Sequence, residues 1–143
     1  MDNRENIKSV LDELQIIYRM DQTELNEQPI DTYLISLVVD NVMVRGGILD
    51  RREKDSSYID ILFFFNSDAS ERYKDITELL KKVNELNVMC KYGNFYMDED
   101  KDIVYSLVIP IIEGDSVNKE VFKYYFNSTL SVVKDAVSDM NYE

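Results

Sequence analysis

A chain of 143 residues has room for one domain of ordinary size, and a hydrophobic content of 45% supplies a core, which excludes general disorder. Sixteen bases against twenty-eight acids leave a formal charge of −12, which repels nucleic acid and anionic membrane surfaces. The complete lack of His removes Ser-His and Cys-His nucleophile pairs and every metal site that needs imidazole.

The charge suits solubility or a basic protein partner. It is uneven: residues 1–32 hold eight acids and three bases, residues 33–93 ten and nine, and residues 94–143 ten and four. The acidity therefore concentrates toward the two ends of the sequence, which would form one acidic surface if they met in space. Cys90 is alone, so no internal disulfide forms, as expected of a reducing cytosol. The first residues lack a signal pattern, and no apolar run approaches the roughly 20 residues of a membrane helix. A cytoplasmic protein is expected, with residues 1–143 forming a single domain.

The first helix is predicted over about residues 4–20, where Ile7, Val10, Leu11, Leu14, Ile17 and Tyr18 recur at helical spacing. Ile16 and Met20 fall on the opposite side of that wheel. Thr32–Val39 reads as a strand, Asp40-Asn41 as a turn, and Val42 to about Asp50 as a second strand that Gly46-Gly47 should bend or bulge. Tyr58–Phe65 is a third strand, with Ile59, Ile61, Phe63 and Phe65 on one face. Tyr58, Leu62 and Phe64 make its other face apolar too.

A second helix is predicted from a cap at Asp68 or Ser70 to about Asn87, with Ile76, Leu79, Leu80, Val83 and Leu86 as its stripe. Tyr92-Gly93-Asn94 turns into a short strand, Phe95–Met97. Acidic residues 98–102 form a hairpin loop, and Ile103–Ile112 is the fifth strand, with Pro110 marking an edge or an irregular finish. Asn118 should cap a third helix running to about Met140, with Val117 and Phe122 as a hydrophobic staple. Its apolar arc covers roughly half the wheel, more than the ~100° one supporting surface requires. Phe126, Leu130 and Val137 lie at one edge of that arc, and Val121 and Val132 at the other.

The order α-β-β-β-α-β-β-α with hairpin-length connections predicts an α+β fold: two layers, with helices on a largely antiparallel five-stranded sheet. No chemistry stands out. Cys90 reads as packing. Asp98, Asp100 and Asp102 match the opening of a calcium loop, but Ile103 and Ile109 stand where the sixth-position Gly and twelfth-position Glu should be. Gly46-Gly47 does not precede a helix, so it cradles no phosphate. No catalytic residue, metal or cofactor is expected. Ile16, Met20, Phe126, Leu130 and Val137 are the expected surplus apolar surface, for a protein partner or a homodimer.

The segment from Ile76 to Phe126 contains Glu85-Leu86-Asn87, Tyr92-Gly93-Asn94-Phe95-Tyr96-Met97-Asp98, Val104 to Pro110 with Tyr105, and Val117-Asn118-Lys119-Glu120-Val121-Phe122. This resembles YbjN-domain proteins, with Asn118 in place of the usual Ser at the helix start. The resemblance implies a secretion-chaperone-like α+β domain, related to small acidic chaperones of type III secretion that are usually dimers. It carries over no catalytic or ligand residue. The expectation is a non-enzymatic protein-binding module, a chaperone-like or regulatory adaptor. The alternatives are an immunity-type acidic antagonist of a basic toxin or nuclease, and a small-molecule-binding domain or minor enzyme.

Overall fold

A computed structural model describes residues 3–25, 28–52, 57–65, 75–111 and 116–140. The elements in chain order are α1 (Arg4–Glu13), β1 (Tyr18–Leu25), β2 (Gln28–Val39), β3 (Val42–Arg52), β4 (Ser57–Phe65), α2 (Ile76–Val88), β5 (Asn94–Met97), β6 (Ile103–Ile111) and α3 (Lys119–Met140). The strands form one antiparallel sheet of six, in the order β1-β2-β3-β4-β6-β5. The α+β class and the helix-on-sheet layering are as predicted, but the described residues form six strands rather than five.

The extra strand lies where the first helix was expected to continue. That helix stops at Glu13 because Gln15 turns left-handed, with φ 56°. The Gln15 amide donates to the Asp12 carbonyl at 3.1 Å, and the Ile16 amide donates to the Leu11 carbonyl at 2.9 Å. This is the Schellman ending, here built without the glycine that normally marks it in sequence. Ile16 supplies its apolar residue and packs half-buried against the core that contains Leu11. Met20 is in β1, opposite Tyr33, also half-buried against that core. Neither is on a helix: Ile16 lies in the α1–β1 connection and Met20 in β1, because the helical wheel does not extend to them.

The β2–β3 hairpin turns as expected at Asp40 and Asn41, whose φ values of 49° and 66° give the left-handed pair that matches strand twist. Gly46-Gly47 does not bulge the strand. The ladder runs through it in register, Gly46 opposite Ile35 and Phe63, and Gly47 opposite Leu34 and Leu62. The glycine at position 46 makes room for the Phe63 ring.

Ile59, Ile61, Phe63 and Phe65 of β4 face the helices and are buried, together with Tyr33, Ile35, Ile48, Tyr105 and Leu107 of the flanking strands. Helix α3 contributes Phe122, Phe126, Val133, Ala136, Val137 and Met140 to the same core. Its wide apolar arc has a structural reason. Glu13 of α1 pairs with Lys119 and Lys123 on one side, and Lys82 of α2 pairs with Asp139 on the other, so neighbouring helices cover both flanks. Phe126 and Val137, expected as interface residues, are core residues at 0% and 3% exposure, and Leu130 is half-buried against them.

On α2 the structure narrows the expected stripe: Leu79, Val83 and Leu86 are buried, while Ile76 and Leu80 are exposed. Asp75 caps the helix, its carboxylate accepting from the Glu78 amide at 2.9 Å. The predicted caps Asp68 and Ser70 lie outside the described residues. Asn118 caps α3 as expected, accepting from the Glu120 and Val121 amides at 2.9 and 3.1 Å.

A buried polar junction joins the start of the chain to the sheet and to α3. Asn3 is fully buried; its amide donates to Asp50 at 3.0 Å and its oxygen accepts from the Val117 amide at 2.6 Å. Asn6 donates to the Val117 carbonyl at 2.8 Å, so two side chains satisfy one residue's backbone. Asp31 and Asp50 are opposite each other on β2 and β3, and Arg4 and Arg52 neutralise them at 3.1 and 3.2 Å.

Candidate functional site

Strand alternation gives the sheet a second, outer face, and the described helices leave it uncovered. The register aligns Arg19, Leu34, Gly47, Leu62 and Ser106 in one row across it. The next row is Ser36, Arg45, Phe64, Val104 and Tyr96, and beyond it Val38 faces Met43. Several apolar side chains of this face are open to solvent: Val38 at 70%, Met43 at 56%, Phe64 at 40% and, opposite Asp60, Val108 at 52% exposure. Isolated exposed apolar residues are ordinary, but adjacent ones on a single sheet face mark a contact surface.

A cleft of about 530 Å³ opens at the β1 end of this face, lined by Ile17, Arg19, Leu34, Ser36 and Arg45 with the strand backbone beneath. Arg19 and Arg45 flank β2 diagonally, one opposite Leu34 and the other opposite Ser36. Two strand spacings and a two-residue offset place their Cα atoms about 12 Å apart. Both are exposed, and neither forms an ion pair or hydrogen bond with another described residue. The third arginine of the face differs: Arg51 pairs with Asp60 at 3.7 Å and lies over the Tyr58 ring at 5.8 Å.

Burial pushes the Asp60 carboxyl above the usual carboxylate range, and Arg51 and the Ser106 hydroxyl offset part of that. A carboxyl with a raised folded-state pKa binds its proton more readily folded than unfolded. Its ionisation therefore costs stability above that pKa, and the cost disappears as pH falls through it. Asp60→Asn abolishes this titration. Urea melts at several pH values should show the variant losing stability relative to the parent as pH drops from 7 into the carboxylate range. A difference that does not change with pH would contradict the assignment.

The other residues noted in the sequence have structural tasks. The Asp98 carboxylate accepts from the Asp100 and Asp102 amides at 3.0 and 2.9 Å and so shapes the β5–β6 turn. Burial raises the Cys90 thiol to about 11, which leaves it protonated and unreactive at neutral pH. Asn87 clasps the backbone of Phe95, accepting from its amide at 2.6 Å and donating to its carbonyl at 3.0 Å, which fixes the end of α2 to β5. Gly93 leaves room for the end of the buried Tyr105 side chain. Pro110 pairs with Tyr58 on β6 beyond the end of the four-residue β5, where no ladder partner needs its missing N–H.

A family model described as "Putative bacterial sensory transduction regulator", YbjN, matches residues 51–141. The chain belongs to the YbjN family. The Leu-Asn helix end, the Gly-x-Phe-Tyr strand and the Tyr…Pro strand are thus fold-forming features in this member. A crystal structure of an uncharacterized protein from Methanothermobacter thermautotrophicus is similar at a TM-score of 0.53 and 18% identity, over 98% of this chain and 100% of that one, which shows a shared fold. No curated protein matches the chain. The YbjN match begins at residue 51, so the residues lining the cleft all precede it.

Among the described residues no helix is long and apolar enough to cross a membrane. The expected interface residues do not gather at the outer face. Sequence reasoning missed that face because it assigned Tyr18 and Met20 to a helix, which hid β1 and with it the position of Arg19. The apolar second face of β4, with Tyr58, Leu62 and Phe64, was the one available signal.

Proposed function

We propose that this YbjN-family protein is a non-enzymatic protein-binding module, a chaperone-like or regulatory adaptor, that holds a client segment on the outer face of its sheet. The observation that carries this is the exposed apolar group Val38, Met43 and Phe64 on a sheet whose other face is already filled by helices. The family's regulator description supports a binding role rather than a catalytic one. The β1 edge beside that face, which no described strand covers, offers backbone pairing to an extended client. The formal charge of −12 favours a client that is basic overall, and a cytoplasmic setting fits the single protonated thiol.

The antagonist reading calls for one continuous acidic surface. The ends of the sequence do meet where α1 lies against α3, yet α1 carries three acids and two bases and α3 three of each. The small-molecule reading calls for converging carboxylates, and the cleft is lined by none. Both therefore rank below the adaptor.

The test is recovery of the tagged protein from its native cells at low salt, beside a Val38→Ser/Met43→Ser variant of equal melting temperature. A stoichiometric partner held by the parent and lost by the variant is the expected result. A partner held equally by both would place binding elsewhere and overturn the outer-face reading.

A further inference from the structure

Arg19 and Arg45 open toward solvent on the outer face without an acidic partner among the described residues. The other guanidiniums among the described residues are occupied: Arg4 with Asp31, Arg52 with Asp50 and Arg51 with Asp60. In a chain with twelve more acids than bases, two neighbouring arginines on either side of a cleft lined by no carboxylate are a local reversal of sign. Guanidinium groups present planar donor forks that match carboxylates in two-point contacts.

The floor between them is not polar throughout. Ile17 is 78% exposed and Leu34 39%, and Val38 and Met43 continue the apolar surface along β2 and β3. Ser36 adds a side-chain hydroxyl to the lining. A bare inorganic anion would leave that apolar surface wet, and a purely apolar segment would leave two guanidiniums without a partner.

We infer that the cleft holds an extended segment of a partner protein in which every second side chain faces the cleft, and these alternate between carboxylate and apolar. The carboxylates meet Arg19 and Arg45 on either side of β2, and the apolar residues cover Ile17, Leu34 and Val38. This rests on the outer face being the client surface and adds what the client must carry there. It also separates two ranges of electrostatics. The net charge acts on the whole partner from a distance and is screened beyond about 8 Å at physiological salt, while the two arginines select the group in contact with them. A partner that is basic overall and carries an acidic-apolar segment satisfies both.

The test uses three labelled peptides on the full chain, read by fluorescence anisotropy: Glu-Ser-Leu-Ser-Glu-Ser-Val, the same with Gln for Glu, and the same with Lys for Glu. The Glu peptide should bind at least tenfold more tightly than the Gln peptide, and the Lys peptide most weakly. Arg19→Gln and Arg45→Gln should each reduce Glu-peptide affinity several-fold and leave the Gln peptide unchanged; the double variant should erase the preference. Arg45→Lys should retain part of it. Both positions are exposed, so these variants keep the fold. Equal binding of the Glu and Gln peptides that Val38→Ser/Met43→Ser weakens and the arginine variants do not would overturn the carboxylate inference and leave the outer-face reading standing. Tightest binding by the Lys peptide, or no binding of the Glu peptide at millimolar concentration, would overturn it too; partner recovery with the Val38/Met43 variant then judges the face independently.

Discussion

Gly46→Ala should destabilise the protein by about 3 kcal/mol, at the upper end of what overpacking a core typically costs. A Cβ at Gly46 would meet the Leu62 carbonyl oxygen at 2.5 Å and the Phe63 ring more closely still. Phe63 is fully buried and Leu62 belongs to the ladder, so neither can give way cheaply. Gly47→Ala is the internal control. Its Cβ would find only the Tyr33 carbonyl at 3.5 Å, an ordinary contact, and stability should stay within about 1 kcal/mol or rise slightly as the unfolded chain loses freedom. Neither glycine has a left-handed backbone, so the contrast is one of space alone. Urea melts of the two variants decide it, and equal stabilities would contradict the packing described for Phe63.

Phe126→Ala should cost about 4 kcal/mol, a large share of the 5–15 kcal/mol that a domain of this kind possesses. Phe126 has no exposed surface, and its ring stacks on Phe122 at 5.8 Å between centroids. The sequence places it at the edge of an over-wide apolar arc, where it looks like a residue held back for a partner. In the folded chain the arc is wide because the sheet lies beneath α3 and helices lie on both sides. Leu130→Ala, half-buried, should cost about half as much or less. Equilibrium melts of both variants test this. A Phe126→Ala protein within 1 kcal/mol of the parent would show that the ring does not serve the core and would return it to the list of contact residues.

The parts of the fold visible in the sequence were those with a strong local signature. The alternation of Ile59, Ile61, Phe63 and Phe65, the Asp40-Asn41 turn and the Asn118 cap each follow from one interaction that a single residue type performs best. The missed strand had no such mark. Gln15 ends α1 in a position where Gly is the usual signal, and β1 carries Asp21, Gln22, Thr23 and Glu24, a polar run with little alternation of its own. Its pairing with β2 supplies what its propensity does not. The candidate site suffered from the same gap. Arg19 and Arg45 are 26 positions apart in sequence and converge only because β1 and β3 both flank β2, which no linear pattern reveals.

The outer face can be tested directly by methyl NMR on the partner complex. The methyl signals of Val38, Met43 and Leu34 should shift or broaden as partner is added, while those of Leu80 and Val88, exposed on α2, stay in place. Movement confined to Leu80 and Val88, with Val38 and Met43 unchanged, would place the partner on the helical side and contradict the account.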